Sequence, residues 1–167
     1  MPETAIEPST LPLQSAAPDA SVRRFTETIA TTLAPEVVWA EFTRALTNSQ
    51  EAVLWPNEVS TVRALQPPLA TGAVLAERIQ YNGAVVHYRL LRFEPSRLLV
   101  EYGSLQGHPL SGGAVVSVEG SEGAATLRWQ GEYRGSEAQL GLLDRFRAAF
   151  FGKLALQFKQ LESAQRR

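Results

Sequence analysis

The dipeptide Asn82-Gly83 restricts this chain more than any other pair of residues. It lies in AERIQYNGAVVHYRL, residues 76–90, between two runs in which apolar and polar side chains alternate. Alternation at period two marks a half-buried strand. Asn-Gly between two such runs is the strongest short hairpin signal, because a type I′ turn needs positive φ at both central positions. A two-residue turn would set Tyr81 opposite Ala84, Ile79 opposite Val86, Glu77 opposite Tyr88, and Leu75 opposite Leu90. Opposed and alternate residues share a face. Leu75, Glu77, Ile79 and Tyr81 are therefore expected on one face with Val86, Tyr88 and Leu90, while Arg78, Gln80, His87 and Arg89 take the other. The chain is thus expected to build an antiparallel sheet with one carboxylate, Glu77, among its core-facing side chains.

The flanking sequence extends that sheet. RRFTETIATTL (residues 23–33) alternates as a first strand, and EVSTVRAL, RLLVEYGS, AVVSVEG and ATLRWQGEYRG supply further strands around the central hairpin. APEVVWAEFTRAL repeats its apolar residues at helical spacing, with Pro35 suited to a first turn. A second short turn is expected before Pro56. From Ser136, a plausible N-cap, the apolar residues Leu143, Phe146, Phe150, Leu154, Phe158 and Leu161 step by three or four along one long helix. Gly152 interrupts this helix at a cost of about 1 kcal/mol, which close packing or a bend would explain. Strand, short helices, a run of strands and one long helix read as α+β: a curved sheet closed by a C-terminal helix. Residues 1–21, rich in Pro, Ala, Ser and Thr, read as a flexible leader, although Ile6, Leu11 and Leu13 offer apolar groups that could fold back over a groove. Residues 22–167 are expected to form a single domain.

Composition removes several functions. The 167 residues contain no cysteine, which excludes disulfide frameworks, thiolate metal sites and cysteine nucleophiles. Sixteen basic residues against 17 acidic ones leave no broad cationic face for a phosphate backbone, so nucleic acid is not an expected partner. The basic Lys159, Arg166 and Arg167 read as complements to a helix C-terminus. No apolar run approaches the ~20 residues of a membrane span, and no signal peptide opens the chain, so a cytoplasmic location is expected. The only histidines, His87 and His108, are too few for a metal site; His87 reads as a surface group and His108 as part of a bent loop, LQGHPLSGG, that could gate a cleft. Ser104 and Ser111 have no base or acid that the sequence places beside them, and no Lys-Ser or Lys-Thr follows the loop glycines into a helix, so neither a hydrolytic triad nor a phosphate loop is expected.

The order of several motifs carries further information. LAPEVVWAEFT follows the first strand, QPPLATGAVL opens a later one, RFEPSRLL crosses a turn, GAATLRWQGEYRG forms the last strand, and the terminal helix ends in FKQLE. Over residues 23–164 this arrangement resembles the START-like superfamily of helix-grip proteins, which includes Bet v 1-type allergens and bacterial polyketide cyclase-like proteins. The resemblance implies a seven-stranded antiparallel sheet around the long helix, with a hydrophobic cavity between them for lipids, polyketides or other bulky apolar molecules. It does not choose among carriers, cyclases and interaction modules. The oxygenase branch is excluded, since its iron–sulfur and iron ligand patterns are missing.

A carboxylate facing such a cavity loses hydration, which raises its pKa, and it needs hydroxyl, cation or water partners. Glu77, with Tyr88 supplying a donor, is therefore the candidate acid/base or polar anchor; a carboxylate at a wet groove mouth or in an arginine pair is the plainer alternative. Leu75, Ile79, Val86 and Leu90 follow from hairpin parity as ligand-binding candidates. Val100 and Tyr102 follow on the next strand and Trp129 on the last, where Leu127 and Tyr133 share its face. Trp55, beside Pro56, is the expected entrance residue, and Phe146, Phe150 and Leu154 the expected lid from the long helix. Asp144, Arg145 and Arg147 read as a solvated helix face. No cofactor or metal is expected. The expected partner is a lipophilic small molecule, bound by a monomer or homodimer, with an acid/base enzyme of the cyclase/dehydratase type and a protein-interaction module as the alternatives.

Overall fold

The computed structural model describes residues 7–166. Seven strands form one antiparallel sheet: β1 (Ser21–Thr31), β2 (Ser60–Ala64), β3 (Val74–Ile79), β4 (Val85–Glu94), β5 (Leu99–Ser104), β6 (Ser111–Ser121) and β7 (Ala124–Gly135). Their spatial order is β1-β7-β6-β5-β4-β3-β2. From β2 onward each strand pairs with its successor, so only β1 makes a distant pairing, with β7. The first two strands consequently occupy opposite edges, and α1 (Pro35–Thr47) with the 3-10 turn Ser49–Glu51 spans the gap between them. The long helix α2 (Glu137–Gln165) follows β7. This is the helix-grip α+β architecture.

Each helix forms where the local chemistry favours it. Pro35 opens α1, whose Val38, Phe42, Ala45 and Leu46 are buried as one stripe. Ser136 caps α2, its Oγ accepting the Gln139 N–H at 3.2 Å. Phe150, Leu154 and Phe158 of α2 enter the same core as Val38 and Phe42 of α1 and Val116, Leu127 and Trp129 of the sheet. The α2 stripe is not uniformly buried: Leu143, Phe146 and Leu161 are only half-buried. Arg167 of the expected basic cluster lies outside the described residues.

The central hairpin keeps its faces but not its register. Ile79 N–H donates to Ala84 O at 2.8 Å, and Gly83 N–H returns to Ile79 O at 2.8 Å, so the loop holds four residues, Gln80 to Gly83. Gly83 has φ +71°, whereas Asn82 stays outside the left-handed region and uses its Oδ1 to accept the Ala84 N–H at 2.9 Å. A type I′ turn is thereby excluded. Glu77 stands opposite Val86, and Leu75 opposite Tyr88. The slip is two residues, and since side chains alternate with period two, every residue that remains in the two strands stays on its predicted face, whereas Tyr81, expected to face inward, falls in the loop and is exposed.

Two other expectations need correction. Gly152 is exposed, and a Cβ built there meets nothing within 4 Å, so neither close packing nor contact explains it. The glycines 112 and 113 lie within β6, not in the preceding loop. At Gly113 a Cβ would strike the Tyr102 carbonyl, which limits this stretch of β6 to glycine. The loop is therefore shorter than expected, and it is pinned by the buried Leu105 and Leu110.

Part of the N-terminal segment lies along the sheet. Gln14 N–H donates to Ser104 O at 2.9 Å, Gln106 N–H to Pro12 O at 2.8 Å, and the Arg89 guanidinium to Ser9 O and Leu11 O at 3.0 and 2.8 Å. Leu13 pairs with Leu105 and sits over Gly103 and Leu91. Ile6 lies outside the described residues.

The Gly152 geometry gives a direct expectation. Gly152→Ala should raise stability by about 0.5–1 kcal/mol, because alanine restricts the unfolded chain and meets no obstacle in the helix. Urea unfolding followed by circular dichroism measures it; a lower midpoint would mean that the helix needs the glycine.

Candidate functional site

The inner face of the sheet and the first half of α2 do not close on one another. Between them lies a cavity of about 300 Å³ whose walls are Trp55, Leu75, Ile79, Val86, Tyr102 and Trp129 from the sheet side, with Phe146, Phe150 and Phe151 from α2. Tyr81, 69% exposed at the hairpin tip, lines it together with the exposed Asn82, Ala84 and Pro109, which locates the mouth at that end. The walls are mostly rings. Trp55 meets Phe150 edge-on at 4.9 Å between centroids, Trp129 meets Phe150 and Phe151 at 5.7 and 5.2 Å, and Tyr102 meets Tyr88 at 5.1 Å. Edge-to-face packing of this kind fixes the rings in place, so the space between them is preformed.

Glu77 lies in that wall and is only 8% exposed. Its Oε2 accepts the Ser60 hydroxyl at 2.9 Å, and its Oε1 the Tyr88 hydroxyl at 3.2 Å. Burial raises its pKa, and the two hydroxyls oppose that shift only in part. Among the described residues no Lys, Arg or His forms an ion pair with it. A carboxylate can accept about four hydrogen bonds. Protein groups supply two of these to Glu77, both from neutral hydroxyls.

The chain of hydrogen bonds continues to His108. Leu110 N–H donates to His108 Nδ1 at 3.0 Å, which assigns the ring proton to Nε2. Nε2 in turn lies 2.8 Å from the Tyr88 hydroxyl oxygen and donates to it. Protons are thus ordered from His108 to Tyr88 to Glu77. Burial depresses the His108 pKa to about 4, so the ring is neutral at physiological pH. Burial likewise holds Tyr88, Tyr102 and Tyr133 well above the ordinary phenol value, as does their proximity to one another and to Glu77. The Tyr102 hydroxyl accepts the Trp129 indole N–H at 2.9 Å and in turn donates to the Tyr133 hydroxyl.

Sequence reasoning and structure agree on some positions and part on others. Glu77, Tyr88, Trp55, Leu75, Ile79, Val86, Tyr102, Trp129, Phe146 and Phe150 all line the cavity. Leu90, Val100 and Leu154 do not: they are fully packed, at 2% exposure or less, behind the wall. Trp55 is not at the mouth. It is 4% exposed, tied by its indole N–H to Ser60 O at 3.0 Å, and forms part of the inner wall. Arg147 is not on a solvated face: its guanidinium stacks 4.6 Å over Phe25, pairs with Glu27 at 2.7 Å, and borders the cavity. Ser60 and Tyr133 carried a legible signal, since each alternates with apolar residues on an inward face. The inward fold of His108 carried none, because it depends on Leu105 and Leu110 being buried at the two ends of its loop. Ser104 Oγ is engaged by Leu110 O at 2.9 Å, leaving it no base. Among the described residues no three His, Asp or Glu side chains gather to hold a metal ion, and no helix is long and apolar enough to cross a membrane.

Comparison with known proteins places this geometry among relatives. Residues 22–164 match the family described as polyketide cyclase / dehydrase and lipid transport. No curated protein matches the chain. Among solved structures, the ZhuI aromatase/cyclase from Streptomyces sp. R1128 superposes with a TM-score of 0.62 at 12% identity, over 88% of this chain and 97% of that one. Protein Ms6760 from Mycobacterium smegmatis gives 0.60 at 14% identity over 92% and 99%, and XoxI from Bacillus cereus 0.61 at 17% identity over 83% and 97%. At these identities the likeness is one of fold.

His108 has a measurable consequence for stability. Its folded pKa lies below the unfolded value of 6.5, so its contribution is present above pH 6.5 and is lost as pH falls through about 4. Relative to His108→Gln, the wild type should lose on the order of 3 kcal/mol across that window. Denaturant unfolding at pH 7, 5 and 4 measures it, and parallel profiles for the two proteins would mean that the imidazole is hydrated in the folded state.

Proposed function

Because the chain belongs to the polyketide cyclase, dehydrase and lipid transport family, we propose that it binds a compact hydrophobic or aromatic small molecule between sheet and α2, with Glu77 and Tyr88 orienting a polar group of the guest. The observation that carries this reading is the preformed, ring-lined cavity of about 300 Å³ with one buried carboxylate in its wall. That volume is at the low end for small-molecule sites. It favours one or two fused rings over a two-chain lipid. Burial of apolar surface would supply the affinity, at about 25 cal/mol per Å² before ordering costs. In this reading the domain that does the binding runs from residue 22 onward, and residues 7–20 support the sheet from outside.

A second reading, an acid/base enzyme of the cyclase or dehydratase type, is favoured by the ordered chain from His108 through Tyr88 to Glu77. A carboxyl whose pKa is raised by burial is better matched to proton transfer near neutral pH than an exposed one. In that case Glu77 exchanges a proton with the substrate, while Tyr88 and Ser60 hold whichever form remains. Glu77→Gln would then abolish turnover and leave affinity intact. The protein-interaction alternative would be favoured by a cavity filled by Trp55, Phe146 and Phe150, and these three rings instead stand around open space.

The binding reading is tested by filling the cavity. Titration with 2-naphthol, followed by tryptophan fluorescence from Trp55 and Trp129, should saturate at one molecule per chain. Leu75→Trp, which puts an indole where an isobutyl group stood in the wall, should weaken that binding by about tenfold or more, equivalent to 1.4 kcal/mol or more. Equal binding by both proteins, or no saturable binding, would remove the cavity from the account.

A further inference from the structure

Resting on the small-molecule reading above, we propose that the guest is an aryl or arylalkyl amine bound as its ammonium ion, with Glu77 as its counter-ion and the surrounding rings as its cage. Glu77 is buried, faces the cavity, and has hydroxyl partners but no cationic one. Every other polar group around it is a net donor or already committed. Ser60 and Tyr88 donate to the carboxylate, His108 donates to Tyr88, and the Trp129 indole donates to Tyr102. Arg147, the one cation bordering the cavity among the described residues, is held by Glu27 and Asp144. A buried carboxylate whose protein donors are two neutral hydroxyls is completed best by a group that brings both N–H donors and positive charge, and an ammonium brings both.

The walls fit the same cation. Tyr88, Tyr102, Trp129, Trp55 and Phe150 line the space, and aromatic faces attract a cation most strongly where water is excluded. An anionic guest would meet Glu77 with like charge. A neutral alcohol would gain the aromatic contacts but leave the carboxylate uncompensated. The ordering of affinities is therefore amine, then alcohol, then acid.

Three ligands of similar size separate the possibilities: phenethylamine, 2-phenylethanol and phenylacetate, titrated into the full chain by calorimetry. At pH 8 the amine is expected to bind about tenfold or more tightly than the alcohol, which 1.4 kcal/mol or more of ion pairing and cation–π attraction supplies. Phenylacetate should be the weakest. Glu77→Gln should abolish the amine's advantage and bring amine and alcohol to similar affinities, with circular dichroism showing that the variant is folded. A readout that needs no variant is the pH dependence of the amine-to-alcohol affinity ratio. Burial raises the Glu77 pKa, so the ratio should still be climbing above pH 4.5 as Glu77 ionises, while His108, with its pKa depressed to about 4, is mostly neutral there, Tyr88, Tyr102 and Tyr133 remain phenols, and Arg147 is held by Glu27 and Asp144. Alcohol binding without an amine preference, or a ratio flat with pH, overturns the amine inference and leaves the cavity reading standing. Absence of binding by both amine and alcohol overturns both.

Discussion

A carboxyl group has been taken out of water and given two hydroxyls in place of a cation. The rest of the site is arranged around that constraint. Desolvation of an ionised carboxylate is costly, and hydrogen bonds from Ser60 and Tyr88 offset it only partly. Ser60 is presented by β2 and Tyr88 by β4, the two strands flanking β3, so the sheet itself holds both donors in position. The helix contributes nothing polar to Glu77. Its rings keep water away from the carboxyl and leave a space beside it, and that combination makes this wall of the cavity chemically distinct from the rest of the core.

Packing explains why the space exists. The lower part of α2 is sealed, with Leu154 and Phe158 meeting Val38, Phe42 and Leu127 in the core it shares with α1. Higher on α2, α1 contributes only Leu46, and Leu143, Phe146 and Arg147 face the sheet across a gap. The guanidinium of Arg147, stacked on Phe25 and paired with Glu27, joins α2 to β1 at that level without filling the interior. One helix thus serves as core at one end and as wall at the other.

Much of this was legible in the sequence because parity is robust. An error of two residues in the hairpin register left Glu77, Tyr88 and Val86 on their predicted face, whereas an error of one would have reversed the site. The turn type was misread for a local reason: Asn82 used its side chain to cap Ala84 and did not enter the left-handed region. Positions decided by distance along the axis of α2 were not legible. Leu90, Val100 and Leu154 share a face with the cavity residues but lie at levels where the core is closed, and period-two reasoning carries no information about level. Trp55 and His108 depend on loop conformation, set by the indole bond to Ser60 and by the burial of Leu105 and Leu110. Arg147 was misassigned because its charge suggested solvent, while its ion pair and aromatic stack hold it across the groove.

The ionisation of Glu77 tests the account most directly. The side-chain carboxyl carbon, observed by ¹³C NMR in glutamate-labelled protein and assigned by its absence in Glu77→Gln, reports the titration of this one group. The account predicts a midpoint above the ordinary 4.5, moving further when a neutral aromatic fills the cavity and excludes the remaining water. A midpoint at or below 4.5, unmoved by any guest, would place the carboxylate in contact with bulk solvent and contradict it.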